Sequence, residues 1–290
     1  MTGFGAGSYT VSLSKTTGQN AISAADASRA APHAAGINLI PTSRQRIAAD
    51  VTNNGSISAG DAAQIARFAA GLGAGTALTN QWRFFVPSVT DPTFPVGSSP
   101  TSISYTDPIG VQTAQDFIGV LIGEVTGNWA AGPLRPAGID SGLAAAEDDS
   151  TATRGSISVN IPALAARSGG DIVIPVNVQD AADKEITSYE FDLRYDPTVL
   201  QPQTNPVDVA GTVSRGLFVV TNAEVPGLLR VVMYGAMPIE ENGLLLNFRF
   251  TAVGTPGSMS DLSFERIMFN EGESRIVLTN GAVKVLVTYE

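Results

Sequence analysis

Beyond residue 155 the chain takes up one period and keeps it. Ser156 to Ile161, Asp171 to Val178, Ile186 to Tyr195, Gly216 to Thr221, Leu228 to Gly235, Leu244 to Ala252, Leu262 to Phe269 and Ala282 to Tyr289 alternate apolar and polar residues. Gly, Pro, Asn or Asp separates each from the next. A period of two puts every second side chain on one face, so each segment has an apolar face that only another such segment can cover. Many short strands at even spacing predict an antiparallel β-sandwich. Asp196-Pro197 marks a turn, because proline pre-sets its own φ and restricts the residue before it. Phe191, Leu193, Tyr195 and Leu200 are expected to point into the core.

The first half obeys a different rule: it repeats. Ile22 to Ala27 is matched by Ile57 to Ala62, and Ala34 to Ile37 by Ala69 to Leu72, both at an offset of 35. Such a period means stacked supersecondary units. Helices are predicted over Ala25 to Ala35, interrupted near Pro32, and over Asp61 to Ala70, with Gly71 as its stop. Thr42 caps a short helix running through Ala48. Thr113 to Gly123 reads as another helix, its apolar stripe formed by Ala114, Phe117, Ile118, Leu121 and Ile122. Tyr9 to Leu13 and Gln81 to Val86 read as strands. His33, the only histidine, has no partner group nearby in sequence and reads as structural.

Ahead of the second repeat helix lies Asp50-Val-Thr-Asn-Asn-Gly-Ser-Ile-Ser-Ala-Gly-Asp61. Counting Asp50 as position 1, side-chain oxygens fall at positions 1, 3 (Thr52), 5 (Asn54), 9 (Ser58) and 12 (Asp61). The Ser56 carbonyl sits at 7, and Gly55 supplies the sharp turn at 6. Calcium takes about six to eight hard oxygens, and this spacing supplies them from one short loop. Only two carboxylates contribute, so modest affinity is expected; an Asn-Gly turn before a capped helix is the alternative. In the first repeat the positions aligned with Asp50, Thr52, Asn54 and Gly55 are Lys15, Thr17, Gln19 and Asn20. A lysine at position 1 repels the ion, so the repeats predict one metal and not two. Glu124, Thr126 and Asn128 show the 1, 3, 5 spacing that the first repeat lacks. With Asp26 they predict a second, weaker, split site; a helix-ending turn anchored by Trp129 is the alternative.

The loop, the helix after it and the duplication together resemble a dockerin, the calcium-loop repeat module of cellulosome-type assemblies. A second resemblance lies in the strand-rich half. Ser188 to Leu200, with its Tyr-Asp-Pro followed by leucine, Gly243 to Phe250 and Thr279 to Val285 are similar to strands of a cohesin. That resemblance spans residues 154 to 290 and implies a nine-stranded jelly-roll sandwich, in a superfamily that also includes carbohydrate-binding modules. The predicted fold class is therefore multidomain α+β. A mainly helical dockerin-like domain occupies residues 8–132 and an all-β sandwich 154–290, joined by an Ala, Gly, Pro and acid-rich linker over 133–153.

Composition removes several functions. The net charge of −10 disfavours a nucleic-acid or anionic-membrane partner. No apolar run reaches the roughly 18 residues of a membrane helix, and Met1 to Gly7 lacks the basic and apolar regions of a signal peptide. With no cysteine, one histidine and adjacent rather than opposed carboxylates such as Glu240-Glu241, catalysis has no constellation to rest on. The chain reads as a non-enzymatic extracellular or cell-surface protein with Ca2+ as its cofactor. Its partners are cohesin-like or dockerin-like domains, other copies of itself included, assembling head-to-tail into fibres or a surface layer. The docking residues expected are Gln64, Arg67 and Phe68 on one half and Tyr189 and Phe191 on the other. A carbohydrate-binding or adhesion module, with polysaccharide as ligand, is the alternative.

Overall fold

The structure, a computed structural model, describes residues 7–18, 21–86, 92–96, 99–106, 115–129, 155–272 and 274–287. The chain divides into two compact units, one of residues 1–68 and 74–136, the other of 69–73 and 137–290. The predicted linker over 133–153 lies outside the described residues.

In the first unit, helix α1 (Ala24–Ala34) starts at a capping box: the Ser23 hydroxyl accepts from the Ala25 N–H, and the Asp26 carboxylate accepts from the Ser23 N–H. The helix is not interrupted at Pro32 but runs on to Ala34. Pro32 stands in the last turn, where its missing N–H costs a single bond to the turn before. His33 serves the fold, its Nδ1 accepting from the Ile40 N–H at 2.8 Å to close the following turn. Helix α2 (Ser43–Ala49) is capped by Thr42, and α3 (Ala59–Ala69) follows the loop from Asp50. Most of the residues packed between these helices are small: Ala24, Ala27, Ala30, Ala48, Ala62 and Ala66 are all buried, around Ile47, Val51 and Ile65.

Two antiparallel ribbons complete this unit. Strand β1 (Ser8–Ser12) pairs with β3 (Ser102–Thr106), and β2 (Trp82–Phe85) with β4 (Ile118–Leu121). The helix expected over Thr113 to Gly123 is therefore wrong across 118–121; residues 111–114 lie outside the described residues. Ile118 and Val120 are β-branched and Gly119 is a poor helix former, and register with Trp82 to Phe85 overrides the helical spacing of the apolar side chains. Strand β3 was hidden in a Ser, Thr and Pro-rich stretch.

The second unit is a sandwich. Its strands are β5 (Ser156–Asn160), β6 (Ala163–Ala166), β7 (Asp171–Gln179), β8 (Ile186–Arg194), β9 (Leu200–Asp208), β10 (Phe218–Asn222), β11 (Leu228–Ile239), β12 (Gly243–Ala252), β13 (Met259–Phe269), β14 (Arg275–Thr279) and β15 (Gly281–Val285). One sheet has the order β10-β11-β8-β13-β15-β6, the other β14-β5-β7-β12-β9. These eleven strands come from nine runs of chain, because β5 with β6 and β14 with β15 are each one run that crosses from sheet to sheet. The crossings lie side by side, β5 parallel to β14 and β6 parallel to β15. Pro162 breaks the first run. Gly281 breaks the second, where a Cβ would come within 2.6 Å of the Ile161 side chain and the Pro162 carbonyl. Strand β9 escaped sequence reading because Pro202 and Pro206 interrupt its alternation; as an edge strand it tolerates them.

Tyr189, Phe191, Phe248, Phe250, Phe264 and Phe269 fill the space between the sheets. Tyr189 and Phe191 therefore cannot be docking residues. On β8 they alternate with Glu190, Asp192 and Arg194, which lie on the opposite face of the sheet, where Glu190 and Asp192 are buried as well and Arg194 is half-buried. No helix among the described residues is long and apolar enough to cross a membrane.

Candidate metal centres and docking face

The loop between α2 and α3 winds around its two carboxylates. Asp50, at the end of α2, accepts from the Asn54 N–H at 3.0 Å and from the Gly55 N–H at 2.8 Å. Asp61, fully buried in the first turn of α3, accepts from the Thr52 N–H at 3.0 Å and the Ser58 N–H at 2.9 Å. The Thr52 hydroxyl lies between them, 2.9 Å from Asp61 Oδ1 and 3.4 Å from Asp50 Oδ1. Asn54 Oδ1 accepts from the Ser56 N–H at 2.9 Å, which turns the chain so that the Ser56 carbonyl follows. Gly55 has φ +85°, a conformation that side chains resist, which explains glycine at position 6. The carboxylate, hydroxyl and amide oxygens of Asp50, Thr52, Asn54, Ser58 and Asp61 are thus held on one short loop. They are hard donors of the kind calcium takes, and they are oriented by the backbone.

A second arrangement with the same bonds is assembled from two distant segments. Glu124 accepts from the Asn128 N–H at 2.9 Å, as Asp50 does from Asn54. The Thr126 N–H donates to Asp26 Oδ1 at 3.0 Å, as Thr52 does to Asp61. The Thr126 hydroxyl lies 3.2 Å from Glu124 and 3.3 Å from Asp26, as Thr52 lies between its two carboxylates. Ser23 N–H donates to Asp26 Oδ2 at 2.8 Å, as Ser58 does to Asp61. Asp26 also accepts from the Val125 N–H at 2.6 Å, a bond across 99 residues. The four residues expected at the split site, Asp26, Glu124, Thr126 and Asn128, therefore stand together.

Lys15 is elsewhere. Its ammonium lies 4.3 Å from the Trp82 ring centroid and 4.7 Å from that of Trp129. The position of the missing carboxylate in the first repeat has become a cation–π contact, and Glu124 stands beside Asp26 instead.

Each site buries the carboxylate on its helix, Asp26 and Asp61 both being fully enclosed, but its other carboxylate differs: Asp50 is buried, while Glu124 is half-buried. Burial pushes the Asp26 carboxyl up to about 8 against the pull of the Ser23, Thr126 and Val125 amides, and the Glu124 charge adds to the push. Among the described residues no three Asp, Glu, His or Cys side chains converge on one point, so either site offers an ion two carboxylates at most.

On the sandwich, the outward face of the six-stranded sheet carries a ladder of charge. Glu190 meets Arg266 at 2.5 Å, Asp192 meets Arg230 at 3.4 Å, and Arg194 meets Glu265 at 2.6 Å. Burial pushes the Asp192 carboxyl up, while Arg230 and Arg266 pull it down. Phe218, 62% exposed on edge strand β10, has its ring 5.6 Å from that of Tyr234 on the same face. Sequence reading missed this face because it took the aromatic residues of β8 rather than the charged ones between them. Of the other docking residues expected, Arg67 is exposed on α3, and Gln64 and Phe68 are half-buried.

Among solved structures, the chain is similar to the seventh ScaB type I cohesin from Pseudobacteroides cellulosolvens at 22% identity, covering 47% of this chain and 96% of that one with a TM-score of 0.41. It is similar to a non-cellulosomal cohesin from the archaeon Archaeoglobus fulgidus at 19% identity, covering 46% and 92% with a TM-score of 0.39. It is also similar to the third cohesin of ScaC, solved in complex with the ScaB dockerin from Acetivibrio cellulolyticus, at 16% identity, covering 45% and 99% with a TM-score of 0.38. No curated protein matches the chain. The family model for the cohesin domain matches residues 157–285, the sandwich from β5 to β15, and cohesin domains are non-enzymatic protein-interaction modules.

Proposed function

We propose that this chain is an extracellular or cell-surface assembly protein that binds dockerin-type modules through its sandwich and carries a calcium-loaded, dockerin-like module in its first half. The match to the cohesin domain carries the reading. The sheet face that β8 turns from the core is the docking surface, through its more exposed members Arg194, Glu265 and Phe218: the Arg194–Glu265 pair fixes its two side chains in place, the buried Glu190 and Asp192 pairs hold the layer beneath, and the exposed ring supplies an anchor. Gln64, Arg67 and Phe68 of α3 face the partner from the dockerin-like side.

One calcium binds the loop of Asp50, Thr52, Asn54, Ser56, Ser58 and Asp61, and a weaker one binds Asp26, Glu124, Thr126 and Asn128. The matching hydrogen bonds at the two places support this. A bound ion supplies positive charge to both carboxylates of a site; the residues themselves tie each loop to a helix, 50–58 to α3 and 124–128 to α1. Two unlike faces on one chain give a heterologous contact, which closes into rings or runs on as fibres.

Light scattering of the full chain over rising concentration, with calcium and with chelator, tests the reading. Mass growing with concentration in calcium and not in chelator supports self-assembly. Constant mass, with no binding of immobilised dockerin modules, overturns the docking function.

A further inference from the structure

The first unit contains a cavity of about 450 Å³ that borders the split site, sharing Glu124 and Thr126 with it, and whose remaining lining none of the above uses. It lies within the range of small-molecule pockets, roughly 300–1,000 Å³. One wall is aromatic: Trp82 on β2 and Trp129 beyond β4 meet edge to face, with centroids 5.2 Å apart and planes at 88°. The lining also includes polar residues, Arg44 and Gln45 of α2, Thr42 at its cap, and Glu124.

We propose that this cavity binds a neutral pyranose sugar as a mono- or disaccharide unit. A sugar ring has apolar C–H faces and a polar hydroxyl edge, and the lining of this cavity offers both aromatic and polar groups. Its charged lining is Arg44 and Glu124, the latter shared with the split site, a balance that suits many neutral hydroxyls better than a formal anion or cation. The rings are set before any ligand arrives. Trp82 donates its indole N–H to the Thr17 carbonyl at 3.1 Å, Trp129 donates to the Gly18 carbonyl at 2.7 Å, and Lys15 packs on both rings. Such pre-organisation lowers the ordering cost of binding. Gly119 completes the wall, since a Cβ there would press within 3.4 Å of Trp82 and 3.2 Å of Phe84.

The chain has two tryptophans, and both line this cavity, so its intrinsic fluorescence reports on this place. The full chain, held in constant excess calcium, is titrated with cellobiose, xylobiose, mannobiose and chitobiose up to about 10 mM. At least one sugar should give a saturable change. Arg44→Ala, at an exposed position that folding tolerates, should weaken it roughly tenfold. Trp82→Phe should weaken it as well, and Arg29→Ala, outside the cavity, should not. No saturable change with any sugar, or one untouched by Arg44→Ala and Trp82→Phe alike, overturns the proposal. Light scattering reads the assembly function separately, so either can fail alone.

Discussion

The two candidate metal sites use the same bonds and reach them by opposite routes. In the loop from Asp50 to Asp61, position 1 and position 12 are eleven residues apart, and closing the loop orders little chain. In the split site the segment bearing Glu124 must find Asp26 across 99 and 100 residues, and it does so through the backbone amides of Val125 and Thr126. The local site is therefore a property of a loop. The split site is a property of the whole first unit, because it fastens the end of that unit to its first helix.

That difference predicts the order of mutational costs, and the largest effect tests it directly. Asp26→Ala removes the acceptor of the Ser23, Val125 and Thr126 N–H groups at a fully buried position, and at roughly 1–3 kcal/mol per orphaned group the loss is about 3 kcal/mol or more. Asp61→Ala, at an equally buried position, orphans two N–H groups rather than three and costs about 2 kcal/mol. Urea denaturation of both variants in chelator measures this. Equal costs, or a larger one for Asp61→Ala, would break the distinction between a local and a global site.

Calcium sharpens the comparison. An ion at a hundred times its Kd adds about 2.7 kcal/mol to the folded state. Asp50→Ala should abolish most of the calcium-dependent rise in melting temperature, and Glu124→Gln should remove only a weaker second component from the calorimetric isotherm. An isotherm unchanged by Glu124→Gln would mean that 124–128 is a turn that resembles a metal loop and nothing more.

Lys15 gives a smaller test. Lys15→Asp restores an acid at position 1 of the first repeat, and as sequence alone it should rebuild a contiguous site. In the structure residue 15 lies against Trp82 and Trp129, so the substitution should add no calcium equivalent. It should cost about 1 kcal/mol through the lost cation–π contact. A gain of one calcium would show that the first repeat keeps a latent site of its own.

What could be read in advance follows the same division between local and distant. Asp50 to Asp61 was legible because its chemistry is contiguous, α2 because Thr42 is a local capping signal, and α1 and α3 because the repeat and its stops are written in the chain. The split site could be read only as a spacing in search of a partner, since no local rule brings Thr126 to Asp26. Ile118 to Leu121 carries a helical stripe and strand-forming residues at once, and only Trp82 to Phe85, more than thirty residues earlier, decides between them. In the sandwich, alternation already assigned Phe191 to the core, and giving it a docking role as well ignored that one face cannot be both. The crossings at Pro162 and Gly281 were not read, because their meaning lies in the two runs being neighbours.

The smallest effect is the most specific to the claim that the two loops are equivalent. Position 4 of the contiguous loop is Asn53, with φ 56°, and the corresponding residue after Glu124 is Gly127, with φ 82°. Asparagine visits the left-handed region more readily than other residues with a side chain, and glycine does so freely. A Cβ on Gly127 would meet the Gln45 side-chain amide at 3.6 Å, an ordinary contact, so backbone conformation rather than space governs the position. Gly127→Asn should then change stability by less than about 0.5 kcal/mol, and Gly127→Ala should cost about 1 kcal/mol. Urea denaturation of the two variants side by side resolves the pair. If asparagine is the worse of the two, the backbone at 124–128 does not follow the course of 50–54, and the shared hydrogen bonds would be a likeness of ends without a likeness of path.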